Sequence, residues 1–138
     1  MTDWGMAETF INPSTEQIRA LVAAELDGPL VMVNLLSFAP DGGAERYRAY
    51  GAAATPFLNK YGATVRFLGT GLATVIGGEE WDEVILVEYP SKQAFLDMIS
   101  DPDYPSDLRT GALADSRLFC TRPADLGGSD HSSEESDR

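Results

Sequence analysis

Two short stretches, LVMVNLLSF at 30–38 and VILVEY at 84–89, constrain this chain more than any other feature. Each is apolar almost throughout and is bounded by turn residues, DGP before the first and PS after the second. They read as strands buried on both faces, because a strand with one wet face alternates in polarity. Two further candidate strands, 63–71 and 116–122, carry Arg66 and Arg117 and so suit the outside of a sheet. Two helices can cover only one face of that sheet. A second copy of the same sheet is the economical cover for the other, so a homodimer is expected.

The segments between these strands are helical. Ser14 and Gln17 fit a capping box, followed by Ile18, Leu21, Val22 and Leu26 at helical spacing. From Ala44 to Tyr61 a second pattern places Tyr47, Tyr50, Ala54, Phe57, Leu58 and Tyr61 on one face, with Gly62 as the stop. Pro56 inside it is expected to kink or interrupt the helix. The strand at 63–71 is read as continuing through LATVIGG, and EEWDE is a charged turn carrying Trp81. Pro90 and Ser91 open a short helix with Phe95, Met98 and Ile99 on one side. DPDYPSD then turns into a further helical stretch before the last strand. The order is one added helix and then β-α-β-β-α-β, the ferredoxin-like pattern of the α+β class.

Length and charge narrow the function. A chain of 138 residues suits one domain. It is expected at 14–123, after an irregular start (1–13) and before a disordered acidic tail (124–138). The net charge is −12 and stays strongly negative without the tail, which repels phosphate backbones and argues against nucleic-acid binding. No apolar stretch approaches the roughly 18 residues of a membrane span, and no signal-peptide pattern opens the chain. With a single cysteine, Cys120, a cytoplasmic location is expected. The one histidine, His131, lies in the tail, which removes Ser-His-Asp and Cys-His catalysis within one chain and makes imidazole ligation of zinc or haem improbable. No metal and no cofactor is expected.

The stretches DGPLVMVNLLSF, YRAYGAAATPFLNKYGATV and GEEWDEVILVEYPSKQAFLDMISDPDYPSDLRTGALADSRL together resemble family 1330 of the domains of unknown function, within the dimeric α/β-barrel superfamily. The resemblance runs from about Ile11 to Pro123. It implies a ferredoxin-like protomer that pairs sheet to sheet into a barrel, with a cavity between sheet and helices. It implies no single reaction, because the superfamily holds cofactor-independent monooxygenases, polyketide cyclases, haem-degrading enzymes and plain binding proteins.

Polar residues inside apolar elements are the candidate site. Asn34 shares a strand face with Leu30, Met32, Leu36 and Phe38, where it either bonds to neighbouring backbone or faces a cavity. Glu88, on the face of Val84 and Leu86, either meets Arg66, Arg109 or Arg117 or carries a raised pKa suited to proton transfer. Tyr50 is the tyrosine expected to reach the cavity with its hydroxyl. Trp81 either lines the pocket mouth or caps the core. Arg66, Arg109 and Arg117 are candidate anion holders, with Arg109 the ligand-facing one. Two functions fit. In the first, a small cofactor-independent enzyme acts on a carbonyl-bearing or aromatic compound, with Asn34 and Tyr50 polarising an oxygen, Glu88 moving a proton and Arg109 holding an anionic group. The alternative is a non-catalytic dimeric ligand-binding or structural module.

Overall fold

The computed structural model describes residues 8–124. The tail expected at 124–138 lies outside the described residues apart from Ala124. Four strands, β1 (Leu30–Phe38), β2 (Thr64–Thr70), β3 (Glu83–Tyr89) and β4 (Leu113–Thr121), form one sheet in the order β2-β3-β1-β4, with every pairing antiparallel. The helices are α1 (Thr15–Ala23), α2 (Gly43–Lys60), α3 (Lys92–Ser100) and α4 (Ser106–Ala112). This is the ferredoxin-like α+β arrangement with an added N-terminal helix. The two near-continuous apolar runs occupy the two central positions.

Local chemistry sets the helix ends. The Ser14 hydroxyl accepts from the Gln17 backbone at 3.0 Å, and the Gln17 side chain reaches back to the Ser14 N–H, so the capping box at α1 is complete. Gly62, at φ 77°, ends α2 in a Schellman motif: Ala63 N–H meets the Leu58 carbonyl at 2.8 Å and Gly62 N–H meets Asn59 at 3.3 Å. The structure also departs from the sequence reading. α2 runs through Pro56 without a break, because Tyr47, Tyr50 and Ala54 before it and Phe57 after it hold one continuous face against the core. β2 stops at Thr70, and residues 71–82 form an irregular excursion in place of a continued strand. β4 begins three residues earlier than expected, immediately after α4.

The two faces of the sheet differ. Leu30, Met32 and Leu36 of β1, with Val87 and Tyr89 of β3, point to the helices and are buried. Around Leu36 they meet Tyr47, Tyr50 and Ala54 of α2; around Met32 they meet Phe95 and Met98 of α3. Full burial of one such side chain contributes about 1.5–3 kcal/mol. The opposite face carries Val31, Val33 and Leu35 of β1, Val84 and Leu86 of β3, Phe67 of β2 and Phe119 of β4. Among the described residues no helix packs on it, and Phe67 and Phe119 stand exposed there. α1 has no fully buried residue: Leu21 touches the core, while Val22 faces solvent against the helical-face expectation.

Candidate ligand-binding site

A groove of 550 Å³ lies on the helix side of the sheet, under α1 and the preceding segment 10–13. Met32, Ser116, Leu118 and Cys120 supply its sheet wall, and Ile18 and Leu21 its helical roof. Alternation explains this wall. Cys120 pairs with Met32, Leu118 with Asn34 and Ser116 with Leu36, so β4 turns these three side chains toward the helices. The roof is tied down from both ends. Phe10 N–H donates to Asp115 at 2.8 Å and the Ser116 hydroxyl donates to the Phe10 carbonyl at 2.8 Å; at the far end Lys92 Nζ donates to the Val22 and Ala24 carbonyls at 2.7 and 2.6 Å.

Arg109 of α4 lines the groove. Its Nη1 donates to the Ile11 carbonyl at 2.7 Å, and its positive charge lies close enough to the Tyr47 hydroxyl to lower its pKa. Among the described residues no carboxylate lies within 4.0 Å of it. A half-buried arginine without an acid partner is unusual in a protein of net charge −12, and its remaining donors suit a carboxylate or similar oxyanion.

Behind Arg109 stands a group of tyrosines, Tyr47, Tyr50 and Tyr89 buried and Tyr104 half-buried. The Tyr50 and Tyr104 hydroxyls hydrogen-bond each other, and their rings meet edge to face with centroids 6.1 Å apart. Tyr47 stacks at a tilt on Tyr50, 5.2 Å between centroids. Burial pushes the Tyr47 hydroxyl up to about 12 although Arg109 pulls it down; burial likewise raises Tyr50, Tyr89 and Tyr104. At neutral pH all four are phenols, able to donate a hydrogen bond but not to act as bases. Tyr104 is fixed by the turn before it. Asp101 accepts from Tyr61 at 2.7 Å, from Lys60 at 3.0 Å and from the Asp103 N–H at 3.0 Å. The Asp103 N–H, Tyr61 and Lys60, in that order, hold its carboxyl down at about 2. A depressed carboxyl stabilises the fold above its unfolded pKa and ceases to do so as pH falls through the folded value. Asp101→Asn is therefore expected to flatten the decline in stability from about pH 4 to pH 2, read by urea unfolding across that range. An unchanged slope would contradict this role.

The structure separates the other residues read from the sequence. Asn34 sits on the helix side between the two core clusters, and its Nδ2 donates to the Ile85 carbonyl at 3.3 Å. It adjoins the groove through its cross-strand neighbour Leu118 without lining it. Glu88 is on the other face of the sheet, paired with Arg66 at 2.8 Å. The bulge between Val65 and Phe67 makes room for Arg66 there. The pair lies across the sheet from Arg109 and Tyr50, so Glu88 is not brought together with them. Arg117 borders the groove but is committed: it meets Asp115 at 2.8 Å and Glu79 at 3.5 Å, and its guanidinium stacks between the rings of Phe10 and Trp81. Trp81 thus packs on Arg117 at the root of the 71–82 excursion. Tyr104, Ser116 and the α1 roof were missed as site residues. Only the tyrosine held between prolines in DPDYPSD offered a local signal.

A four-stranded antiparallel sheet with helices on one face and a groove beneath an added helix defines a ferredoxin-like α+β protein. The chain belongs to the family described as Domain of unknown function (DUF1330), whose family model matches residues 42–117. Among solved structures, the RPA0582 protein of unknown function from Rhodopseudomonas palustris is 35% identical with a TM-score of 0.80, over 86% of this chain and 99% of that one. The methylated form of RPA0582 is 36% identical with a TM-score of 0.79, over 86% and 98%. SnoaB, a cofactor-independent oxygenase from Streptomyces nogalater, shares the fold at 14% identity and a TM-score of 0.52, over 75% and 100%. No curated protein matches the chain. Among the described residues, no helix is long and apolar enough to cross a membrane.

Proposed function

We propose that the protein is a homodimeric small-ligand-binding protein whose groove takes a largely apolar, partly aromatic molecule bearing a carboxylate or comparable oxyanion. One observation carries the reading: Arg109, without an acid partner among the described residues, lines an otherwise mainly apolar groove of 550 Å³. That volume falls in the range of small-molecule sites, where a few polar groups orient an apolar body. The sheet supports the pairing. Its uncovered face is apolar at seven positions, and monomeric proteins rarely leave so large a patch to water.

Binding is favoured over catalysis because no Asp or Glu is among the described residues lining the groove, and the tyrosines behind it stay protonated. Burial also raises Cys120, which keeps its thiol neutral. The second reading is a cofactor-independent enzyme on a carbonyl or aromatic compound. The phenol donors clustered behind Arg109 favour it, since they could polarise an oxygen.

A thermal-shift panel tests the first reading. It compares arylacetates and medium-chain carboxylates with their primary amides, on the wild type and on Arg109→Gln. The carboxylates are expected to raise Tm in the wild type, by about 2.7 kcal/mol of added stability at a hundredfold excess over Kd, and the amides far less. Arg109→Gln is expected to erase that preference. Equal shifts for acid and amide, or no shift with any acid, would overturn the assignment.

A further inference from the structure

We infer that residues 72–78 form an arm that clasps a second copy of this chain, an inference that rests on the sheet pairing proposed above. Leu72, Val75 and Ile76 are 93%, 90% and 93% exposed, the most exposed large apolar side chains among the described residues. A loop meant for water would carry polar residues at these positions. The segment is also anchored at its root and closed upon itself. Gly71 N–H meets the Asp82 carbonyl at 2.8 Å, Asp82 N–H meets Leu36 at 2.8 Å, and the Thr74 hydroxyl donates to Glu79 at 2.6 Å. Trp81 stacks on Arg117 below it. The chain therefore holds three large apolar groups out into solvent on a fixed support.

The arm is continuous with the uncovered sheet face. Between them lies a hollow of 610 Å³ whose wall includes Leu72, Val75 and Ile76 from the arm, Trp81 with Glu79, Glu80 and Asp82 from its root, and Val84 from that face. Arm and face together present ten large apolar side chains, Leu72, Val75 and Ile76 on the arm and seven on the sheet.

A second copy is the partner that fits. Each copy offers both an apolar arm and an uncovered apolar sheet face, so one two-fold pairing covers all of these groups at once. The arginines bordering the face already hold acids, Arg66 with Glu88 and Arg117 with Asp115 and Glu79, which lowers the repulsion between two chains at −12.

Sedimentation equilibrium over a concentration series tests the inference with two variants of the full chain, Val75→Asp/Ile76→Asp on the arm and Phe67→Asp on the sheet face. All three positions are at least half exposed in the protomer, so far-UV circular dichroism is expected to stay unchanged. The wild type is expected to be a dimer, and each variant is expected to dissociate at least about a hundredfold more readily, because a carboxylate must be buried without a partner. Amide exchange in 72–78 is expected to slow in the dimer and to quicken on dilution. If Phe67→Asp weakens the dimer while the arm variant leaves Kd and the exchange unchanged, the pairing stands and the arm inference falls. A wild type that stays monomeric overturns both.

Discussion

Leu36→Ala is expected to lower the unfolding free energy by about 3 kcal/mol, within the 2–5 kcal/mol found for such truncations. Leu36 is fully buried at the centre of the cluster formed with Tyr47, Tyr50, Ala54, Ala112 and Leu113. Its neighbours come from α2, α4 and two adjoining strands, so no single element can move in to fill the space. Tm should fall by about 10 °C, since 1 kcal/mol moves a domain of this size by roughly 3–5 °C. Val22→Ala, on the exposed side of α1, serves as the control and is expected to change stability by less than about 0.5 kcal/mol. A Leu36→Ala loss no greater than the control's would mean that the core is misplaced.

The second large effect concerns the tyrosines behind the groove, and it is non-additive. Tyr50→Phe leaves the Tyr104 hydroxyl buried without its partner, and Tyr104→Phe does the same to Tyr50. Each single change is expected to cost about 1–3 kcal/mol, the penalty for an unsatisfied buried polar group. The double variant removes both hydroxyls and keeps the ring packing, so it should cost no more than the worse single change. Chemical unfolding of the four proteins closes the cycle. Additive losses would show that the hydroxyls do not satisfy each other.

Much of this architecture was legible in the order of residues, and the exceptions share a cause. The run 30–38 marked β1 from end to end, because this central strand is apolar on the face toward the helices and at Val31, Val33 and Leu35 on the opposite face alike. Ser14, Gln17 and Gly62 announced their helix ends because capping is chemistry within a few residues. Asn34 and Glu88 stood out as polar residues in apolar strands, and alternation correctly grouped Glu88 with Val84 and Leu86. Alternation does not say which face the helices will cover, and it is the other one. Arg109, singled out among the arginines, does line the groove, but the groove's roof could not be read from the residues. It depends on the segment before α1 reaching β4, where Phe10 meets Asp115 across 105 positions of sequence. The arm reads as more of β2 because LATVIGG is apolar and carries the β-branched Thr74, Val75 and Ile76. Propensity records what a backbone prefers, not whether a neighbouring strand is left to pair with it.

Methyl-methionine NMR tests most directly whether the groove is a binding site. Met32 lines it, while Met98 is buried in the α3 core and does not. On titration with the arylacetates that raise Tm, the Met32 signal is expected to shift and saturate while Met98 stays in place. In Cys120→Phe, which fills the groove from the β4 wall, the Met32 response is expected to vanish. An unmoved Met32 in the wild type, or an equal response in the filled variant, would contradict the account.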